Sequence, residues 1–228
     1  MDTKRFAQIC GININNPDYF IEAMTHRSYL NEHKGHKYSH NERLEFLGDA
    51  VLELVITDFL FHNFDNPEGE MTAWRAALVN GEMLARVARE IGIEEFLMMS
   101  KGEAKDTGKA RSYLLANAME AIIGAIYLDS GYDAAKEFIL DKIASHIDEV
   151  LEKKLYVDAK SYFQEQAQKH TGITPHYQSI SELGPDHDRT FEVGVFLNDE
   201  EVARGEGRSK QDAQREAARN ALEAKNWL

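Results

Sequence analysis

The chain has 228 residues, 43% hydrophobic and 29% charged, the make-up of a soluble globular protein with room for one or two domains. No apolar run approaches the roughly 20 residues of a membrane span, residues 1–16 lack the apolar core of a signal peptide, and Cys10, the only cysteine, excludes an intrachain disulfide and a cysteine-based zinc site, so a reducing cytoplasm fits. The net charge of −13 stands against the basic footprint usual for nucleic-acid binders.

In chain order, DYFIEAMTHRSYL at 18–30 reads as a helix and its exit, with Pro17 near its start. His26 reads as a packing or capping residue rather than a ligand, because nothing nearby offers a second ligand. The polar stretch 31–40 holds His33, His36 and His40, a solvated loop in preference to a metal tract. From His40 to Phe61 two periods overlap. Leu44, Leu47, Val51, Leu54, Val55 and Phe59 recur at helical spacing and predict a helix buried along one stripe. Glu42, Glu45 and Asp49 fall at i, i+3 and i+7, within roughly 60° of one another. Three acids on one face repel unless something positive covers them. They are either a solvated acidic face or a divalent-metal site, since hard cations take oxygen ligands. Gly48 lies between two of the acids, and a glycine there suits a close approach of backbone or ligand.

NFDNPEG at 63–69 is turn chemistry. Met71 to Ile91 has helical period, and KGEAKDTGKAR at 101–111 reads as a mobile, basic-leaning connector. SYLLANAMEAIIGAIYLDSG at 112–131 predicts a deeply buried helix stopped by Gly131. Glu120 is the exception in it, a carboxylate in apolar company that needs a partner or a metal. Asn117 lies one turn earlier and points the same way. Residues 134–151 predict a further amphipathic helix and 151–158 a short charged linker. Beyond it the pattern is helix (161–171), strands (177–183, 190–197 and 202–207) and a last helix opened by a capping box at Ser209 to Asp212.

NERLEFLGDAVLEL at 41–54 resembles the signature of the ribonuclease III family, whose members cut double-stranded RNA. THRS at 25–28 and EGEMT at 68–72 are similar to further family elements. KSYFQEQ at 160–166, GPDH at 184–187, GEGRSK at 205–210 and the alanine-rich final helix resemble the double-stranded-RNA-binding domain. The resemblance covers nearly the whole chain. It implies a mostly α nuclease domain, a ribonuclease III-like helical bundle, over 1–150, a linker over 151–158, and an α+β (α-β-β-β-α) double-stranded-RNA-binding domain over 159–228. Residues 1–150 hold 15 Lys and Arg against 25 Asp and Glu, and the remainder 11 against 14, so the acid gathers in the part that would hold metal. RNA affinity is expected to be modest and strongly salt-dependent.

By the same resemblance, the chain is a Mg²⁺-dependent endoribonuclease, with Mn²⁺ as an admissible substitute, that serves RNA processing and decay. It would leave 5′-phosphate and 3′-hydroxyl ends by attack of a metal-activated water. Glu45, Asp49 and Glu120 would be catalytic, and Glu45, Asp49, Asn117 and Glu120 would hold the metal. Glu42 and Glu68 would stand on the substrate side. The family acts as a homodimer, in which Phe46 would be an interface residue; core packing is the alternative. Ser161, Gln164, Glu165, His187, Lys210, Gln211 and Gln214 would contact RNA. Two positions depart from the family: Asn117 replaces the usual aspartate, and Gln211 a second basic residue after Lys210. Asn117 motivates an alternative, a double-stranded-RNA-binding regulator with weakened or lost cleavage. A glycoside hydrolase would also use paired carboxylates, but it leaves the second domain unexplained.

Overall fold

Helices α1 (Thr3–Cys10), α2 (Pro17–Ala23) and α3 (Arg27–Glu32) precede the long α4 (Glu42–Asn63). Next come α5 (Glu68–Val79), α6 (Gly81–Ile91), α7 (Lys109–Lys142) and α8 (Ile147–Glu152). The computed structural model describes residues 1–105, 108–183 and 189–227. Within them the chain divides into two units, Met1–Tyr156 and Val157–Leu228.

Local chemistry sets the helix ends of the first unit. Asn16 caps α2 by accepting from the Asp18 N–H at 3.1 Å, with Pro17 at the first helical position, where its missing donor is harmless. His26 caps α3 through Nδ1, which accepts from the Ser28 N–H at 3.3 Å. The periodic stretch 71–91 is two helices rather than one. Asn80 Oδ1 accepts from the Met83 N–H at 2.9 Å and starts α6 afresh. The expected helix over 134–151 is also broken, by a 3₁₀ turn at Ala144–His146. Gly131 is a break inside α7 rather than its end; its φ of 87° lies outside the reach of most side chains. Helix α1, which the sequence reading passed over, buries Phe6 and Cys10.

The core of this unit is the α4–α7 pair, the most extensive helix contact in the chain. Leu52, Val55 and Ile56 of α4 pack with Leu115, Met119, Ile122 and Ile123 of α7, all fully buried. Leu151, Leu155 and Tyr156, in the stretch read as a linker, also pack on this core, and Tyr156 sits edge-on to Trp74 at 6.1 Å.

The second unit runs α9 (Ala159–Thr171), β1 (His176–Leu183), β2 (Thr190–Leu197), β3 (Glu200–Gly207) and α10 (Lys210–Ala224). The strands form one antiparallel sheet in the order β1-β2-β3. Val195 and Leu197 face a core completed by Phe163, Ala167, Ala217, Ala218, Ala221 and Leu222. Ser209 Oγ accepts from the Asp212 N–H at 3.1 Å and caps α10. Among the described residues no helix is long and apolar enough to cross a membrane.

Candidate functional site

Helices α4 and α7 cross where each presents a glycine. A Cβ on Gly48 would lie 1.7 Å from the Glu120 carbonyl oxygen, and one on Gly124 would lie 2.3 Å from that of Leu44. The two backbones therefore touch, and the missing side chains are the condition for it. This contact brings Glu120 of α7 beside the turn of α4 that carries Glu45 and Asp49.

The electrostatics follow from that placement. Glu120 is half-buried, and loss of water, then the charges of Asp49 and Glu45, push its carboxyl up to about 7. Glu45 is raised as well, first by burial, then by Glu42 and Asp49, while a hydrogen bond from the Asn117 side chain pulls the other way. The structure thus gathers Glu45, Asp49, Asn117 and Glu120, with Glu42 at the margin. Glu42 is exposed and answered by two groups, Arg27 Nη1 at 3.6 Å and His40 Nδ1 at 3.7 Å.

Glu68 is not brought into this group. It opens α5, accepts from Thr72 Oγ1 at 2.9 Å, and lines a hollow of ≈ 250 Å³ with Thr57, Leu60, Phe61, Met71 and Arg75. Phe46 is 81% exposed. His33 stacks on Tyr29, and His36 meets Tyr29 and Tyr38 edge-on, so these histidines form an aromatic cluster.

The donor chemistry suits a hard divalent cation: three carboxylates and an amide oxygen, two of the carboxylates destabilised first by burial and then by neighbouring charge. As they stand, the side chains do not converge on one point. Among the described residues no three His, Cys, Asp or Glu groups stand close enough to ligate one ion.

A family model described as Ribonuclease-III-like matches residues 16–147, more than half of the chain. A second, described as Double-stranded RNA binding motif, matches residues 159–225. The chain is 44% identical over 217 residues to Ribonuclease 3 of Carboxydothermus hydrogenoformans, covering 95% of this chain and 92% of that protein. It belongs to the ribonuclease III family. Ribonuclease 3 of Borreliella burgdorferi is 39% identical over 221 residues, covering 96% and 90% of the two chains. The solved nuclease domain of ribonuclease III from Campylobacter jejuni is 39% identical with a TM-score of 0.57, over 63% of this chain and 97% of that one. Membership carries the activity class, a metal-dependent endoribonuclease.

In the part that matches the RNA-binding motif, Ser161, Gln164 and Glu165 are exposed on α9 at i, i+3 and i+4, one face of the helix. Gln214 is half-buried, its Oε1 accepting from Lys160 Nζ at 2.7 Å. Gln211 is exposed, whereas Lys210 Nζ is ion-paired to Glu182 Oε1 at 2.8 Å. His187, with the rest of 184–187, lies outside the described residues. The glycines of GEGRSK seat the last helix: a Cβ on Gly205 would meet Ala217 N at 2.1 Å, and one on Gly207 Ala213 N at 2.5 Å.

Sequence reading missed four participants in this ribonuclease III chain. Gly124 was signalled by a glycine inside the apolar run IIGAI. His40 lies two residues before Glu42 in the same stretch, whereas Arg27, beside Glu42, and Glu182, which holds Lys210, had no local signal, because each acts across the fold.

Proposed function

We propose that this chain cuts double-stranded RNA at the α4–α7 crossing, leaving 5′-phosphate and 3′-hydroxyl ends, and works as a homodimer in RNA processing and decay in the cytoplasm. The observation that carries the reading is the raised Glu120 carboxyl beside Asp49 and Glu45, in one chain with a double-stranded-RNA-binding motif. We assign the nuclease role to 1–150 together with the core-packed residues up to Tyr156, a linker to what remains of 151–158, and RNA binding to 159–228.

Glu45, Asp49, Glu120 and the Asn117 oxygen would hold Mg²⁺. When bound, such an ion supplies positive charge against the phosphodiester and lowers the pKa of water. The residues themselves position the scissile bond. Glu42, with Arg27 Nη1 3.6 Å away, offers an acceptor on the substrate side with a guanidinium beside it for phosphate. Glu68, on the rim of its own hollow, would meet substrate from a second direction. Ser161, Gln164 and Glu165 would read 2′-hydroxyls and base edges in a minor groove, the loop with His187 would enter the next one, and Lys210, Gln211 and Gln214 would face phosphates.

The homodimer reading is supported by the open face of α4. Phe46, Leu54 and Phe61 are 81%, 57% and 69% exposed and share one face, while the opposite face is core. A second copy laid antiparallel, with its two-fold axis near Leu54, sets Phe46 against the partner's Phe61 and the adjoining hollow. The Campylobacter jejuni nuclease domain is itself described as having a region involved in dimer formation.

Nothing in the site favours the cleavage-defective alternative, since Asn117 keeps an oxygen at the cluster. Incubating the full chain with a long duplex RNA, in Mg²⁺ or in EDTA, and mapping the new ends tests the proposal. Duplex products with 5′-phosphates in Mg²⁺ alone are expected; intact RNA in both would leave only the binding function.

A further inference from the structure

We propose that Glu182 lowers the RNA affinity of the second unit by holding the place of an RNA phosphate on Lys210. The inference rests on the reading above that Lys210 meets phosphate. Glu182 stands near the end of β1 and Lys210 opens α10, so the contact spans the unit rather than one element. Lys210 Nζ lies 2.8 Å from Glu182 Oε1, and the two side chains are 58% and 36% exposed. The same ammonium is 5.7 Å from the centre of the Phe191 ring, and Arg189 Nη1 reaches Glu182 Oε2 at 3.4 Å. One carboxylate thus answers two cations. The Lys210 contact holds its carboxyl below the usual carboxylate range.

A carboxylate and a phosphate offer an ammonium the same kind of charged acceptor. An exposed ion pair is weak, so phosphate can displace Glu182. The displaced carboxylate then remains beside the incoming phosphate as a like charge. Every polyanion meets this penalty at Lys210. A duplex offsets it by also engaging the exposed face of α9, which a strand offering phosphate alone does not. Glu182 therefore lowers affinity for every polyanion by a similar factor, and the preference for duplex stays with the α9 face.

The test uses the full chain in EDTA, so that RNA is bound and not cut. Two probes are compared by fluorescence anisotropy across a salt series: a duplex longer than the ~16 base pairs one such domain spans, and one of its strands alone. Glu182→Gln should tighten duplex binding about threefold to tenfold, the effect of one nearby charge, and tighten single-strand binding by a similar factor. The slope of log K against log salt should steepen by up to about one. In the Lys210→Ala background, Glu182→Gln should have no effect.

If Glu182→Gln leaves both affinities unchanged while Lys210→Ala still weakens duplex binding, the proposal is overturned and Lys210 keeps its role. A gain that persists in the double variant also overturns it, because general charge, or Arg189, would then be the cause. Tightening of the duplex alone also overturns it, because a penalty at Lys210 acts on every polyanion. If Lys210→Ala is silent in both backgrounds, Lys210 is no phosphate contact and the parent reading falls as well.

Discussion

The backbone of Gly48 lies against that of Glu120 so closely that a methyl group at Gly48 would stand 1.7 Å from the Glu120 carbonyl oxygen. The obstructing atom is main chain, so no rotamer change makes room and the helices themselves must part. Gly48→Ala is therefore expected to destabilise by about 1–3 kcal/mol or more, lowering Tm by several degrees, and to reduce cleavage further by separating Glu120 from Glu45 and Asp49. Thermal unfolding and duplex cleavage measure the two effects. A variant with the Tm and activity of the wild type would contradict the crossing.

Glu120→Gln separates charge from shape. It keeps the size of the side chain and removes a half-buried charge that Asp49 and Glu45 oppose. Cleavage is expected to fall to background, duplex binding in EDTA to stay within about twofold, and the metal-free Tm to hold or rise, since a repulsive neighbour is gone. Wild-type cleavage rates at saturating Mg²⁺ would remove Glu120 from the active site.

Asn117→Asp runs the opposite way. It restores a carboxylate beside Glu45, where the amide now gives a hydrogen bond. A further negative oxygen should strengthen Mg²⁺ binding, so half-maximal cleavage should need less Mg²⁺, while the metal-free protein should lose some stability. Superimposable Mg²⁺ titrations of the two forms would place Asn117 away from the ion.

The acid limit of the first unit should be set partly by Glu149. Hydrogen bonds from Arg86, then Lys153, hold its carboxyl at about 2, below its ordinary 4.5; Arg86 Nη1 donates to Oε1 at 3.1 Å. A depressed carboxyl adds stability above the unfolded value and loses it as pH falls from about 4.5 toward 2. Glu149→Gln should thus lower Tm at pH 7, and the deficit should shrink below pH 4.5. A deficit that is constant down to pH 3 would show the ion pair to be irrelevant to acid stability.

Where the first unit ends is testable by truncation. Leu155 and Tyr156 pack on its core, with Tyr156 against Trp74. A chain ending at Tyr156 should keep the Tm of the nuclease unit, whereas one ending at Leu151 should unfold at a lower temperature. Both should cut duplex only at low salt, having lost the second unit's contacts. Equal Tm values would return 152–156 to the linker.

Periodicity and turn chemistry carried most of the fold. The α4 helix, the buried α7 and the order of the second unit were legible, because each depends on spacing within one segment; the α4 stripe was read only in part, since Leu54, placed in it, is 57% exposed while Leu52, Ile56 and Leu60 are buried. The breaks at Asn80 and Ala144–His146 were not, since an apolar period continues across both and only capping geometry interrupts it. At the site, Glu45, Asp49, Asn117 and Glu120 could be named from the sequence, and Gly48 flagged the close approach. What brings them together is the reciprocal glycine at 124, a relation between two helices that neither expresses alone. Glu68 shows the other limit. Its motif was plain, yet its surroundings on α5 are Thr72 and the hollow beside Phe61 rather than the acid cluster.

The seating of α10 on Gly205 and Gly207 makes the second unit a rigid gauge. With main chain resting on main chain, and Lys160 tied to Gln214 between α9 and α10, the interval from the α9 face to the start of α10 is set by direct contact. A reader with fixed jaws accepts only duplexes whose grooves recur at its own interval. On the proposed reading, it would pass over a B-form duplex of identical sequence, and would skip a bulged or kinked stretch of RNA without inspecting a single base.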